Sequence, residues 1–114
     1  MFDNLGIGID IVNVEQFREK IYSKNITFYE KIFSFDEIEY CLKFTDPYPH
    51  FAGKFALKEA TVKSLSEKIL LRDIETSHLS SKPIVKLKNH NYKLLASISN
   101  EKEIAVAVII SFKI

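Results

Sequence analysis

The run from Tyr48 to Leu65, YPHFAGKFALKEATVKSL, constrains this chain more than any other stretch. Ala, Leu and Lys are strong helix formers, no proline follows Pro49, and the length suits about five turns at roughly 3.6 residues each. At about 100° per residue, Phe51, Phe55 and Val62 fall in one narrow arc, while Ala52, Ala56 and Ala60 make a second stripe of small residues. The spacing therefore predicts a long helix packed on both sides. Lys58, Glu59 and Lys63 interrupt that pattern. Glu59 and Lys63 are four apart and share a face, and Glu59 points close to the Phe51/Phe55/Val62 arc. Either the two form an i,i+4 pair on a half-exposed surface, worth about 0.2–0.5 kcal/mol, or the carboxylate is paired or coordinating elsewhere.

A second acid stands in an apolar run near the start. Leu5 to Val14, LGIGIDIVNV, is rich in β-branched residues and reads as a buried strand carrying one carboxylate, Asp10. Ionised, buried and unpaired, that group would cost several kcal/mol, so a cation or hydrogen-bond donors must meet it, unless Asp10 ends the strand and caps the next helix. Gly6 and Gly8 do not make a dinucleotide fingerprint, because no third glycine opens a helix after the strand. The apolar run has no basic region ahead of it and Asp10 breaks it, which argues against a signal peptide or a membrane span.

Asn13 is placed to cap a helix through about Lys24, with Val14, Phe17 and Ile21 inside and Arg18, Lys20 and Lys24 supplying positive charge. Ile26 to Phe33 reads as aromatic and irregular. Ser34 with Glu37 three residues on is a capping-box signature for a short helix through about Phe44, and Asp46, Pro47 and Pro49 break the chain before the long helix. Asp73 to His78 and Pro83 to Leu87 read as strands joined by a Ser-Ser-Lys turn. Leu94 to Ser99 and Ile104 to Phe112 form a closing hairpin, whose last strand is apolar throughout and so is buried on both faces or lies at a subunit contact.

Charge and cysteine content narrow the function. Sixteen Lys and Arg against 15 Asp and Glu leave a net charge of +1, which gives no global argument for nucleic acid. The single cysteine, Cys41, excludes an internal disulfide and the usual cysteine-rich zinc sites, and suits a reducing, cytoplasmic setting. What remains is a pair of hard oxygen donors, Asp10 and Glu59, with lysines nearby. Such a pair favours Mg²⁺, which typically completes its octahedron with water and substrate phosphates. Lysines there would neutralise charge on phosphate oxygens.

The same residues carry a family resemblance. GIGIDIV, KFALKEATVK, the DIE of Asp73 to Glu75, the Lys82-Pro83 turn, and SIS followed by an acid and an Ala/Val strand, in this order and spacing, resemble the holo-acyl-carrier-protein synthase family. The resemblance implies an α+β fold: one small domain over 1–114, with an antiparallel sheet packed on a long central helix and shorter helices. It implies transfer of the 4′-phosphopantetheine arm of coenzyme A to a serine of apo acyl carrier protein, with release of 3′,5′-ADP. By the same matching Asp10 and Glu59 bind Mg²⁺, Glu59, Asp10 and Lys63 carry the catalysis, and Lys58 and Lys63 contact coenzyme A phosphates. Lys54, Ser99 and Asn100 stand at further cofactor positions, with active sites between the subunits of a homotrimer. Arg18, Lys20 and Lys24 are the candidates for docking an acidic carrier protein. The chain departs from the family pattern at Asn100, where a histidine is usual, at Lys54 and Gln16, where arginines are usual, and at Ser66-Glu67-Lys68, where a Gly-x-Gly loop is usual. A degenerate homologue that binds carrier or coenzyme A without turnover is the alternative.

Overall fold

In the computed structural model, which describes residues 3–114, the elements run β1 (Leu5–Asn13), α1 (Glu15–Arg18), a 3-10 turn (Tyr22–Lys24), α2 (Ile26–Ile32), α3 (Phe35–Leu42) and α4 (Tyr48–Ser64). A second 3-10 turn (Leu71–Asp73) leads to β2 (Ile74–Leu79), β3 (Lys82–Leu87), β4 (Tyr92–Glu101) and β5 (Ile104–Lys113). β1, β5 and β4 form an antiparallel sheet in that order, and β2 with β3 forms a separate hairpin. Ser80 and Ser81 make the hairpin turn with φ of 51° and 68°, the left-handed pair that a two-residue turn requires.

α4 lies across the inner face of the three-stranded sheet. Its alanine stripe, Ala52, Ala56 and Ala60, is fully buried, and from the sheet Val12, Ala105, Ala107 and Ile109 pack into the same core. The approach is closest at the two glycines of β1. A methyl group on Gly8 would sit 1.9 Å from the Ala60 carbonyl oxygen, and one on Gly6 would sit 1.8 Å from that of Ser64. Those glycines therefore serve helix-on-strand contact. On its other side α4 buries Phe51 among Phe17, Tyr29 and Phe33, a set of rings with centroids 4.6–6.5 Å apart.

Two expected elements differ. The helix expected from Asn13 to about Lys24 stops at Arg18, so Arg18, Lys20 and Lys24 do not share one helix. The cause is Tyr29, whose buried hydroxyl lies 3.1 Å from the Phe17 carbonyl oxygen and 2.7 Å from that of Lys20, taking acceptors that further turns would use. The segment expected to be irregular, Ile26 to Phe33, is helical over Ile26–Ile32, because burying Tyr29 and Ile32 outweighs the weak propensity of its β-branched and aromatic residues. Asp10 does not end its strand. β1 continues to Asn13, whose side-chain oxygen accepts from Glu15 N at 3.0 Å.

The capping box is present: Ser34 Oγ accepts from Glu37 N, and Glu37 Oε1 accepts from Ser34 N at 2.9 Å. The same Glu37 carboxylate is fully buried and pairs with Lys58 Nζ at 2.6 Å, while its Oε2 accepts from Thr76 N and Oγ1 at 2.8 and 2.6 Å. Lys58 also donates to the Ile32 and Leu71 carbonyl oxygens at 2.8 and 3.0 Å. One buried ion pair thus ties α3, α4, β2 and the end of α2 together.

Candidate functional site

On the β1 edge of the sheet, Asp10 stands in the row Asp10–Ala107–Ile98, on the face that carries α4. Lys63, in the last turn of α4, reaches it: Nζ donates to Asp10 Oδ1 and to the Ile9 carbonyl oxygen, both at 3.0 Å. The ammonium that sequence spacing offered to Glu59 is therefore on Asp10. Glu59 is half-buried one turn earlier, and its carboxyl is held above the usual value, first by burial and next by the charge of Asp10, with Lys63 partly offsetting both. Two carboxylates and one ammonium thus converge where the strand edge meets the helix.

A second cluster lies on the other flank of α4, toward β4 and β2. Lys54 is 3% exposed and donates to the Thr76 carbonyl oxygen and Oγ1 at 3.1 and 3.0 Å, with its Nζ 4.8 Å above the Tyr40 ring. It lines a cavity of about 60 Å³ with Asn100, Tyr40, His50 and His78, and no carboxylate lines that cavity. The His50 ring stacks on Phe44 with centroids 3.6 Å apart, and His78 stacks on Tyr40 at 5.3 Å. Both imidazoles are pushed below the usual histidine range, chiefly by burial and further by the Lys54 charge, and Asp46 opposes this at His50. Each polar group facing this cavity is able to donate, which is the chemistry of an anion pocket. Ser99, one residue before Asn100, points to the opposite face of the sheet, in the row of Ile11 and Val106.

Several expectations change here. Lys58 is not open to a phosphate: it is 0% exposed, and Glu37, Ile32 and Leu71 take all three of its N–H groups. Arg18, a candidate for docking an acidic carrier, donates to Asp46 at 2.7 Å and to Glu103 at 3.1 Å, so two carboxylates neutralise it. Lys20 lies 4.9 Å over the Phe28 ring, beside a groove of about 300 Å³ lined by Gln16, Phe17, Phe28 and Phe55. His50 and His78 were not singled out from the sequence. His50 had a readable signal, since it precedes Lys54 by four residues on the same helix, but His78 sits on a strand that only the fold brings alongside.

The sequence model of the 4′-phosphopantetheinyl transferase superfamily matches residues 6–109. A holo-[acyl-carrier-protein] synthase of Thermodesulfovibrio yellowstonii is 41% identical over 109 residues, covering 92% of this chain and 96% of its own. A holo-(acyl-carrier-protein) synthase of Bacillus anthracis, solved in complex with CoA (3′,5′-ADP), superposes with a TM-score of 0.82 at 28% identity, over 96% of each chain. The Helicobacter pylori holo-[acyl-carrier-protein] synthase in complex with coenzyme A gives 0.78 at 31% identity, over 92% of this chain and 98% of that one. Matched along nearly its whole length in sequence and in fold, the chain belongs to the holo-[acyl-carrier-protein] synthase family of 4′-phosphopantetheinyl transferases.

Proposed function

We propose that the chain transfers the 4′-phosphopantetheine group of coenzyme A to a serine of apo acyl carrier protein in the cytoplasm, as a step of fatty acid biosynthesis. The observation that carries this reading is the convergence of Asp10, Glu59 and Lys63 at one strand edge. The donor set fits Mg²⁺. Both ligands are carboxylates, burial and next the Asp10 charge already lift the Glu59 carboxyl, and among the described residues no third His, Cys, Asp or Glu joins them, leaving positions for water and phosphate. When bound there by Asp10 and Glu59, Mg²⁺ would neutralise charge developing on the coenzyme A diphosphate.

The chain's own groups do the rest. Glu59, with its raised affinity for a proton, takes the serine proton directly or through a water. The serine Oγ–P bond forms, the P–O bond of the diphosphate breaks, and 3′,5′-ADP leaves with the electron pair. Lys63 donates to phosphate oxygens at the same edge. Lys54 and Asn100, with His50 and His78 beside them, hold a further coenzyme A phosphate, and Ser99 flanks that position on the other sheet face. These clusters occupy opposite edges of the sheet, because Asp10 is on β1 and Asn100 on β4. A complete site is therefore built between two copies of the chain, consistent with the homotrimer that the resemblance implies. For the acidic carrier, Lys20 at the Phe28–Phe55 groove and Lys24 four residues on supply the cations, Glu19 being the one acid at the groove, and Arg18 holds the framework through Asp46 and Glu103.

Mass spectrometry of apo carrier incubated with the chain, coenzyme A and Mg²⁺ tests the reading. The carrier gains the mass of the phosphopantetheine arm, and Asp10→Asn or Glu59→Gln removes nearly all of that gain while circular dichroism stays unchanged. Coenzyme A binding with no mass gain would instead mark a non-catalytic binding homologue.

A further inference from the structure

Lys63 is held in place although its side chain is largely open to water. Its side chain is 54% exposed, yet its ammonium is anchored twice, on Asp10 Oδ1 and on the Ile9 carbonyl oxygen. Asp10 by contrast keeps only 15% of its side chain exposed. Ile9 and Asp10 belong to an edge strand paired only with β5, so a carbonyl oxygen on the open side is free to receive the lysine. Among the described residues no cation hydrogen-bonds Glu59, and Lys63 acts on it only through its charge. The cluster formally carries two negative charges and one positive charge, and the positive one already occupies an Asp10 oxygen that a dication would use.

We propose that Lys63 is a placeholder cation, so that a divalent metal binds Asp10 and Glu59 well only when a diphosphate arrives with it. The inference rests on the metal reading above and deepens it. A dication arriving alone must draw Asp10 away from the ammonium and then tolerate that ammonium as a near, repelling neighbour. A diphosphate removes both penalties, because Lys63 swings from Asp10 to phosphate oxygens along its flexible four-carbon stem. Metal and coenzyme A consequently bind with positive coupling, and by linkage each raises the affinity for the other by the same factor. Lys63 is thus a positioning residue for the metal as well as a phosphate contact, and the pair Asp10–Lys63 keeps the empty site from collecting stray dications.

The test measures Mn²⁺ affinity by electron paramagnetic resonance, with and without coenzyme A, in the wild type and in Lys63→Met, Lys63→Arg, Asp10→Asn and Glu59→Gln. Lys63→Met should bind Mn²⁺ alone on the order of tenfold more tightly than wild type, and its Mn²⁺–coenzyme A coupling should fall by a similar factor. Lys63→Arg keeps the charge and should retain weak binding of Mn²⁺ alone. Mn²⁺ affinity in Lys63→Met that is equal to or below the wild-type value, or no Mn²⁺ binding by either, overturns the inference. Failure of the underlying metal reading looks different: Mn²⁺ binding in the presence of coenzyme A would then survive both Asp10→Asn and Glu59→Gln. Since Lys63 is half-exposed, its methionine variant keeps the fold, which circular dichroism verifies on the same samples.

Discussion

Two carboxylates of this chain sit in opposite energetic situations. Glu37 is fully buried and has four donors: Ser34 N, Lys58 Nζ, Thr76 N and Thr76 Oγ1. Converting Glu37 to Gln preserves the shape but leaves the Lys58 ammonium buried without a counter-ion, a loss of about 3–5 kcal/mol. Total stabilities of about 5–15 kcal/mol make that a large fraction. Adding Lys58→Met should restore a substantial part, and urea midpoints of the two single variants and the double variant measure the coupling; strictly additive losses would contradict the pair. Glu59 is the reverse, since burial and next the charge of Asp10 raise its carboxyl above the ordinary 4.5. A carboxyl raised in the folded state makes that state bind the proton more tightly, so above both values the native protein carries a disfavoured anion. Glu59→Gln should therefore raise the urea midpoint at pH 7. Its advantage shrinks as pH falls through the folded value and is gone below about 4.5, the ordinary value of the unfolded chain. A Glu59→Gln protein no more stable than wild type at pH 7 would show that the site is not strained. The functional variant is thus expected to be dead and more stable together.

At the scale of elements, Tyr29 decides where the first helix ends. Tyr29→Phe keeps the ring packing on Phe17 and Phe51 but takes the hydroxyl donor from the part-buried Lys20 carbonyl and leaves the Phe17 carbonyl only Lys20 N at 3.0 Å, so a loss of about 1–3 kcal/mol is expected in chemical denaturation. A loss below about 0.5 kcal/mol would mean that the turn is held otherwise. What the sequence made legible were the elements with local causes. α4 follows from propensity and stripe, α3 from its capping box, and the two hairpins from β-branched runs between turn residues. α2 was illegible because its residues are weak helix formers and it exists only through Tyr29 and Ile32 in the core. The same division holds in the site. Asp10 and Glu59 stand out as acids in apolar runs, whereas the burial of Lys58 depends on Glu37 in a separate helix, and the neutralisation of Arg18 on Asp46 and Glu103 far along the chain. Nothing in the spacing of either cation signals those partners.

For the whole molecule, the unresolved balance is on the outer face of the three-stranded sheet. β5, expected to be buried on both faces or to lie at a subunit contact, buries one face in a single chain: Ala105, Ala107, Ile109 and Ser111 face α4. Opposite lie the rows Leu5–Phe112, Ile7–Ile110–Leu95 and Ile9–Val108, with Ile7, Ile9 and Leu95 at 69%, 55% and 70% exposure. A contiguous apolar sheet face of this kind is what a symmetric assembly covers. Leu95→Glu should leave the single chain folded, since Leu95 is 70% exposed, yet put one charge per copy into a closed interface, so light scattering should register a shift toward the monomer. If sites lie between copies, transfer activity falls with the assembly. A mixing experiment separates this from a local effect. Asp10→Asn disables the β1 flank, and Asn100→Asp places an anion in the donor-lined cavity of the β4 flank. Neither alone should transfer the arm, but co-refolded mixtures should recover about a quarter of wild-type activity, the share of sites that draw an intact flank from each parent under random cyclic assembly. Recovery requires that one site take Asp10 from one copy and Asn100 from the next. A mixture as inactive as its parents, at a concentration where light scattering shows oligomers, would place the whole site within a single chain.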